Sequence, residues 1–390
     1  MPLRLPEEVI QMRETVRGFV DEYVQPLAEQ IDRSNEIPES LLDKARELGL
    51  FGFSIPEQYG GLGINELVTS VAVETMSYGP GGVTFYVAPS APAAAINLIG
   101  REDQRRRFLP ELAVGKRYAA FCLSEASAGS DAAGIKARAV RRNGKWLLNG
   151  TKLWISRARH ASVFLVSALT DPARGARGGI TIFLIDKRPG VHVGKADWQL
   201  GGRGSGSAEV SFQDCEIADD EILGNVGDGF EGLKFILGRA RLWAAARGVG
   251  VIGRALELSL GHTAQREQFG RKLGDFQAVK HKIADMAADL YTARLLLYQA
   301  AEIFDEGKDA AQEAAYAKLF CTEAAGRAAD MAVQLHGAMG LAQDFGVERL
   351  YRDCRAYRIL DGASDIQRLM IASRVQRQGS GEGLAPGGLA

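Results

Sequence analysis

Apolar residues recur at helical spacing at both ends of this chain and crowd into short runs through its middle. Val9, Met12, Val16, Phe19 and Val20 share one helical face. The stretch PESLLDKARELGL predicts a helix that starts after Pro38 and stops near Gly49. The glycine pair in PEQYGGLG (56–63) marks a break, and a further helical stretch runs to the GREDQ loop near residue 100. From about 118 the pattern changes. GKWLLNGTKLWIS holds two apolar-aromatic runs on either side of Asn149-Gly150, which predicts a β-hairpin turning there. ASVFLVSAL, GGITIFLID and SAEVSFQDCEI are further strand-like runs separated by Gly, Pro and Asp. From 226 three long, largely apolar or Ala-rich stretches carry Gly at or near their ends, the pattern of antiparallel helices joined by short loops. The expected architecture is mainly α with a central β-domain. Its parts are an N-terminal helical domain (1–117), the β-domain (118–225), a C-terminal helical bundle (226–377) and a Gly-rich flexible tail (378–390).

Composition narrows the class. With 390 residues, 46% hydrophobic and 24% charged, the chain is an ordinary globular protein of two or three structural units. Its 47 Lys+Arg against 48 Asp+Glu give no electrostatic reason to bind nucleic acid or an acidic membrane. No run of about 18 apolar residues is expected, so no membrane span is expected, and MPLRLPEEVIQMRE has no apolar leader core. Cys122, Cys215, Cys321 and Cys354 are scattered and read as reduced thiols. A cytoplasmic protein is expected.

Candidate chemistry is sparse until segments are combined. GGRGSG (201–206) mimics a dinucleotide fingerprint, but the residues after it alternate like a strand instead of opening a helix, so that chemistry is rejected. The five histidines show no metal-ligand spacing, and no GxSxG elbow supports acyl transfer by serine. In SEASAGSD (124–131), small residues with hydroxyls let a ligand approach the backbone closely, although an ordinary loop looks the same. LDGASDIQR (360–368) sets two carboxylates four residues apart. Taken alone, Asp361-Gly362 is turn chemistry and Ser364-Asp365 is a helix start.

Seven segments, in order, give the chain a specific resemblance. They are GLFGFSIPEQYGGLG (49–63), FCLSEASAGSD (121–131), NGTKLWIS (149–156), LGGRGSGSAEVSFQDCEI (200–217), REQFGRKLGDFQAVKHKIADM (266–286), QLHGAMG (334–340) and ERLYRDCRAYRILDGASDIQRLMIA (348–372). Together the chain resembles the flavin-dependent acyl-CoA dehydrogenases over almost its whole length. The resemblance implies an N-terminal helical domain, a β-barrel-like middle domain and a C-terminal four-helix bundle. It further implies FAD clamped between β-domain and bundle. The flavin ring would be held by Phe121, Cys122, Leu123, Ser124, Gly129 and Ser130, together with Trp154, Ile155 and Ser156. The far end of the cofactor would be bound across a subunit interface. Arg266 would take the pyrophosphate there, beside Phe269 and Gln277, and Gln334, Leu335, His336, Gly337 and Ala338 would supply backbone donors. A homo-oligomer, commonly a tetramer, is implied.

The same resemblance turns Asp361 from a turn residue into a candidate base for the α-proton of an acyl-CoA thioester. Ser130, Arg241 and Gly362 would contact substrate, while Ala363, Ser364 and Asp365 would lie in the FAD-contacting loop just beyond. Electrons would leave to an electron-transferring flavoprotein. The sequence departs from the family at four places. Asp361 stands where a glutamate is usual, one C–C bond (~1.5 Å) shorter. Leu360 replaces a tyrosine and Ala363 a threonine. Ala240 stands where one branch carries its base, and Gly238 where several members have an aspartate. A shorter base leaves three enzymatic outcomes open: acyl-CoA dehydrogenation; action on another acyl thioester, such as a carrier-bound acyl group or a non-oxidative elimination; or a flavin monooxygenase on the same fold.

Overall fold

The structure, a computed structural model, describes residues 5–87 and 89–379. The chain divides into two compact units, Met1–Leu237 and Gly238–Ala390.

Seven helices open the first unit: α1 (Glu7–Phe19), α2 (Ala28–Ser34), α3 (Glu39–Glu47), α4 (Glu66–Met76), α5 (Gly81–Val87), α6 (Ala91–Ile99) and α7 (Glu102–Ala113). Prolines 6 and 38 precede α1 and α3, where their missing N–H costs nothing. The Asn65 side chain caps α4 by accepting the Val68 N–H at 2.9 Å. The periodic face read from the sequence is the buried one: Val9, Val16, Phe19 and Val20 are inside, and the last three pack with Leu41, Leu42, Phe53 and Tyr86. Residues 81–99 are, among the described residues, long and apolar enough to cross a membrane by composition, contrary to the expectation that no such stretch exists. Most of that stretch is buried within the protein, including Val83, Tyr86, Ala93, Ala95 and Ile96.

The middle of the chain forms one sheet. Its strands are β1 (Ala119–Cys122), β2 (Arg138–Arg142), β3 (Lys145–Ile155), β4 (Val163–Leu169), β5 (Ile180–Asp186), β6 (Val191–Ala196), β7 (Ala208–Ile217) and β8 (Ile222–Leu223). They hydrogen-bond in the order β6-β7-β3-β2-β4-β5-β8, with β1 pairing parallel to β4. The hairpin expected at Asn149-Gly150 lies elsewhere. The turn is Asn143-Gly144, both residues left-handed (φ 51° and 77°), between the antiparallel β2 and β3. Asn149 and Gly150 sit inside β3, where the pairing with β7 shifts register. A Cβ on Gly150 would come within 2.5 Å of the Ala137 Cβ, so the glycine marks a close strand approach and a bulge. GGRGSG lies in the loop that leads into β7, in keeping with the rejected dinucleotide fingerprint.

Long helices make the remainder: α8 (Gly229–Gln265), α9 (Gln277–Asp305), α10 (Ala311–His336), α11 (Val347–Tyr357) and α12 (Ser364–Gly379). Within the second unit, α10 buries a file of small residues that includes Ala314, Ala317, Ala324, Ala325, Ala328 and Ala332. Small side chains let backbones close up. A Cβ on Gly248 of α8 would meet the Cys321 carbonyl oxygen of α10 at 2.7 Å. That contact brings the charged residues of α8 and α10 together over the loop joining α11 to α12. All four cysteines are free and buried. The residues expected to form the flexible tail lie outside the described residues, except the end of α12.

Candidate active site

The α11–α12 loop carries Asp361 in the left-handed region, φ 55°, followed by Gly362 at φ 93°. Aspartate tolerates that conformation better than most residues with a side chain. Gly362 is held there from two sides. Its carbonyl accepts from Lys318 Nζ and from Gln367 Nε2, each at 2.8 Å. A Cβ on Gly362 would stand 2.6 Å from Gln367 Nε2, so no larger residue fits without displacing that donor. Lys318 and Gln367 are fully buried.

These anchors aim Asp361 at a cluster of cations. Arg247 Nη1 lies 3.8 Å from Asp361 Oδ2, and 27% of the Asp361 side chain remains accessible. Burial pushes the Asp361 carboxyl above the ordinary carboxylate value, against the pull of Arg247, Lys318 and Arg241. Burial likewise lowers Arg241 and Arg247, with Asp361 opposing it in both. It brings Lys318 down to about 8. Arg241 keeps a buried Nε with no hydrogen-bond partner. The Asp361 N–H also donates to no group among the described residues, leaving a backbone donor at the foot of the carboxylate. A strengthened carboxylate, a spare N–H and buried positive charge can remove a proton from carbon and stabilise the enolate that forms.

One expectation for this loop changes. Asp365 does not lie in a loop: it is in the first turn of α12, its side chain 88% exposed and paired with Arg368 at 2.9 Å. Its place in the helix start decides this, because a first-turn acid faces the helix N-terminus and solvent. The hydroxyl of Ser364 is the buried group instead, and it has no hydrogen-bond partner. Ala363 is half-buried beside it. Arg247 and Lys318 were not found from the sequence. Their signal was present, since each is a lone cation inside an apolar helical run (LWAAARGVG and AAYAKLF).

In the first unit, the segments expected to hold the flavin ring are tied together by a buried pair. Lys152 Nζ donates to Glu125 Oε1 at 2.7 Å and to the Leu123 carbonyl at 3.0 Å. Glu125 also accepts the N–H groups of Lys136 and Ala137. The Leu153 N–H donates to Ser124 O at 2.9 Å, which completes the link between the 121–130 loop and β3. Beyond Lys152 the β3–β7 register shifts again, and Trp154 takes φ 61°. The bulge turns the indole outward, 64% exposed. Gly129 and Ser130 are exposed, and a Cβ on Gly129 would meet nothing. Phe121, Leu123, Ser124 and Ser156 are half-buried. Cys122 and Ile155 point into the sheet core, so only their backbones can face a ligand.

In the second unit, Arg266 is exposed and makes no ion pair among the described residues. The two-residue turn of the small hairpin Glu267–Gln268/Arg271–Lys272 holds Phe269 outward, 94% exposed at φ 53°. Gln277, first residue of α9, is exposed. At the end of α10, Gln334, Gly337 and Ala338 are exposed, whereas Leu335 and His336 are buried. The His336 ring stacks on His262, centroids 4.3 Å apart. Taken unit by unit, the exposed Trp154 and open Gly129 of the first offer a stacking face and close backbone approach, and Arg266, Phe269 and the orphaned Ser364 hydroxyl of the second offer a cation, a ring and a polar contact, each suited to part of a flavin dinucleotide. The residues fit that group.

Three family models match in order: the acyl-CoA dehydrogenase N-terminal domain over 6–116, the middle domain over 120–215 and the C-terminal domain over 227–376. An acyl-CoA dehydrogenase of Bacillus subtilis is 37% identical, over 95% of this chain and 98% of its own. The CarC subunit of the caffeyl-CoA reductase-Etf complex of Acetobacterium woodii is 34% identical, over 95% and 99%. Butyryl-CoA dehydrogenase from Megasphaera elsdenii superposes with a TM-score of 0.92 at 30% identity, covering 97% of this chain and 100% of that one. PigA in complex with FAD and proline gives 0.91 at 29%, with coverage of 97% and 100%. The expected fold class and family both hold, and the chain belongs to the acyl-CoA dehydrogenase family of flavoprotein oxidoreductases.

Proposed function

We propose that the protein is an FAD-dependent dehydrogenase of acyl-CoA thioesters in which Asp361 removes the α-proton. The observation that carries this is Asp361 itself, a carboxylate fixed on a left-handed turn and facing Arg247, Lys318 and Arg241. Burial makes it a stronger base than an ordinary aspartate, and the cations favour its ionised form. As the α C–H bond breaks, its proton passes to a carboxylate oxygen of Asp361. Negative charge grows on the thioester oxygen, where the Asp361 N–H is free to donate. Gly362 lines the same position, with Arg241 as a nearby cation. Bound FAD supplies the acceptor for the β-hydride. The groups that would hold it are the Phe121–Ser130 loop and Trp154 in the first unit. In the second they are Arg266, Phe269, the end of α10 and Ser364.

The remaining assignments belong to the same proposal. The catalytic domains are residues 1–117, 118–225 and 226–377. The working form is a homotetramer, supported by the exposed Phe269 that a monomer would leave in water. The electron acceptor is an electron-transferring flavoprotein, supported by the Etf complex named for the Acetobacterium relative. The protein acts in the cytoplasm on acyl-CoA metabolism.

The test is anaerobic mixing of the yellow protein with a panel of acyl-CoAs while flavin absorbance is tracked. Bleaching by at least one acyl-CoA is expected. Because the base is one bond short, the panel includes carrier-bound acyl thioesters of the same chains. Bleaching by carrier-bound substrate alone would replace CoA as the thioester, and no bleaching by either would refute the dehydrogenase.

A further inference from the structure

Arg247 is a full charge in the middle of an apolar helix. Its neighbours in sequence, Leu242 to Ala246 and Gly248 to Ile252, are all buried, and Arg247 is only 6% exposed. Taking a guanidinium out of water is costly, and replacing buried ion pairs with apolar residues is often neutral or stabilising. Stability alone therefore gives no reason to keep an arginine there. The geometry gives one: guanidinium Nη1 lies 3.8 Å from Asp361 Oδ2. That distance is too long for a hydrogen bond, so the pair acts through charge.

We propose that Arg247 is a positioning residue of the reaction, whose buried guanidinium fixes the direction of the Asp361 carboxylate and holds it ionised between turnovers. The inference rests on the assignment of Asp361 as the base. A short base on a rigid loop has little freedom to find the α-proton, and a displacement of ~1 Å can cost ~10²-fold in rate. A cation behind it fixes one orientation. It also opposes burial, which favours the protonated carboxyl.

Other charges around the site differ from Arg247 in how they are engaged. Arg241 approaches from α8, and Lys318 comes from α10 with its Nζ committed to Gly362 O. Tyr357 and Asp353 on α11 lie on the Arg247 side, and burial raises the Tyr357 phenol well out of the titrating range. Glu323 of α10 faces Lys318 and pairs with Arg358 at 3.6 Å. Asp365 is turned to solvent. Of these groups, Arg247 is the one in ion-pair contact with the carboxylate.

The experiment compares wild type, Arg247→Gln and Arg247→Lys as flavin-loaded proteins. The rate of substrate-driven flavin reduction is measured against pH. An opposite charge at this range lowers a carboxyl pKa by ~1–3 units. Arg247→Gln should therefore move the acidic limb of the profile up by at least about one unit, with rates converging toward wild type at high pH. Arg247→Lys should restore most of the shift. A second readout needs no turnover: the infrared carboxylic-acid band that Asp361→Asn removes should titrate higher in Arg247→Gln. An equal loss at every pH would make Arg247 merely structural, and an unmoved limb or band would equally overturn the proposal. Should the Gln variant fail to fold, Arg247→Met replaces it, with the same shift expected. If neither neutral variant folds, Arg247→Lys decides. Retained charge must keep the wild-type limb, and an upward displacement of a unit or more would overturn the proposal. Failure of the base assignment looks different: Asp361→Asn would still bleach flavin, and no acidic limb would belong to residue 361.

Discussion

Lys152 and Glu125 form an ion pair of 2.7 Å with side chains 0% and 6% exposed, and it joins the loop at 121–130 to strand β3. Burial opposes the charge on both. For Glu125 the Lys152 ammonium and two backbone N–H groups outweigh burial and hold its carboxyl below the ordinary value of 4.5. The pair ties together the two segments proposed to hold the flavin ring, so it couples folding of the sheet to their shape.

Removing one partner should be far worse than removing both. Glu125→Gln leaves a buried ammonium uncompensated, a loss of about 3–5 kcal/mol, while Glu125→Gln with Lys152→Met should recover much of it. The pH dependence has a definite sign. A carboxylate with a lowered folded pKa contributes stability that is complete above its unfolded value and is lost as pH falls through the folded value. Wild type should therefore lose stability on acidification from near pH 4.5 downward, and the double variant should lose less over that window. Chemical denaturation at several pH values measures both effects. Equal acid sensitivity in the two proteins would contradict the assignment.

Gly362→Ala should damage the site through its backbone. The added Cβ would stand 2.6 Å from Gln367 Nε2, and the residue would still need φ 93°. Strain of about 1–3 kcal/mol is expected for a side chain in such a region. Flavin reduction should fall because Asp361 is adjacent, while flavin content stays near wild type. A variant with normal melting and normal flavin reduction would show the loop to be more plastic than this geometry allows.

Arg266→Ala should release flavin without unfolding the subunit. The side chain is exposed and makes no ion pair among the described residues, so the fold loses nothing by its removal. A charge-assisted contact to phosphate is worth about 1.5–3 kcal/mol, or roughly a tenfold to hundredfold weaker flavin affinity. Absorbance after gel filtration reports retention, and circular dichroism reports folding. Full flavin retention in a monomeric protein would rule out a role across a subunit boundary.

Much of this could be read from sequence because periodicity and turn chemistry are local. The helical faces at Val9–Val20 and the strand runs of the middle domain each depend on a few neighbouring residues. Choosing between two Asn-Gly pairs did not. Asn143-Gly144 became the turn because β3 continues through Asn149-Gly150 to reach β7, a pairing set by residues far along the chain, such as Phe212 opposite Gly150. The carboxylate at 361 and Arg241 were legible through their motifs, but the meeting of Arg247 and Lys318 with them was not. Arg247 and Lys318 come from different helices, and only the close approach of α8 and α10 at Gly248 and Cys321 brings them to one loop. For Asp365 the local reading as a helix start holds, and it was the placement implied by the resemblance that put it in a loop.

Asp361 itself gives the sharpest test, because two substitutions pull in different directions. Asp361→Asn keeps size and most hydrogen bonding but removes the basic lone pair. Flavin reduction should drop at least ~10²-fold, the scale of a positioned general base. Acyl-CoA binding should survive, since the backbone N–H that meets the thioester oxygen is unchanged. Asp365→Asn, at an exposed helix start, should leave the chemical step nearly intact. Asp361→Glu restores the carboxylate usual in the family and extends it by ~1.5 Å. Two features of the site oppose it. Glutamate is less at ease than aspartate at φ 55°, and the longer side chain must pass or displace Arg247, now 3.8 Å from the carboxylate. Asp361→Glu should therefore bleach flavin more slowly than wild type, yet faster than Asp361→Asn. A Glu variant faster than wild type would mean that the substrate still sits where the longer base can reach it. Near-normal reduction in Asp361→Asn would place the base elsewhere, or show that the reaction needs none.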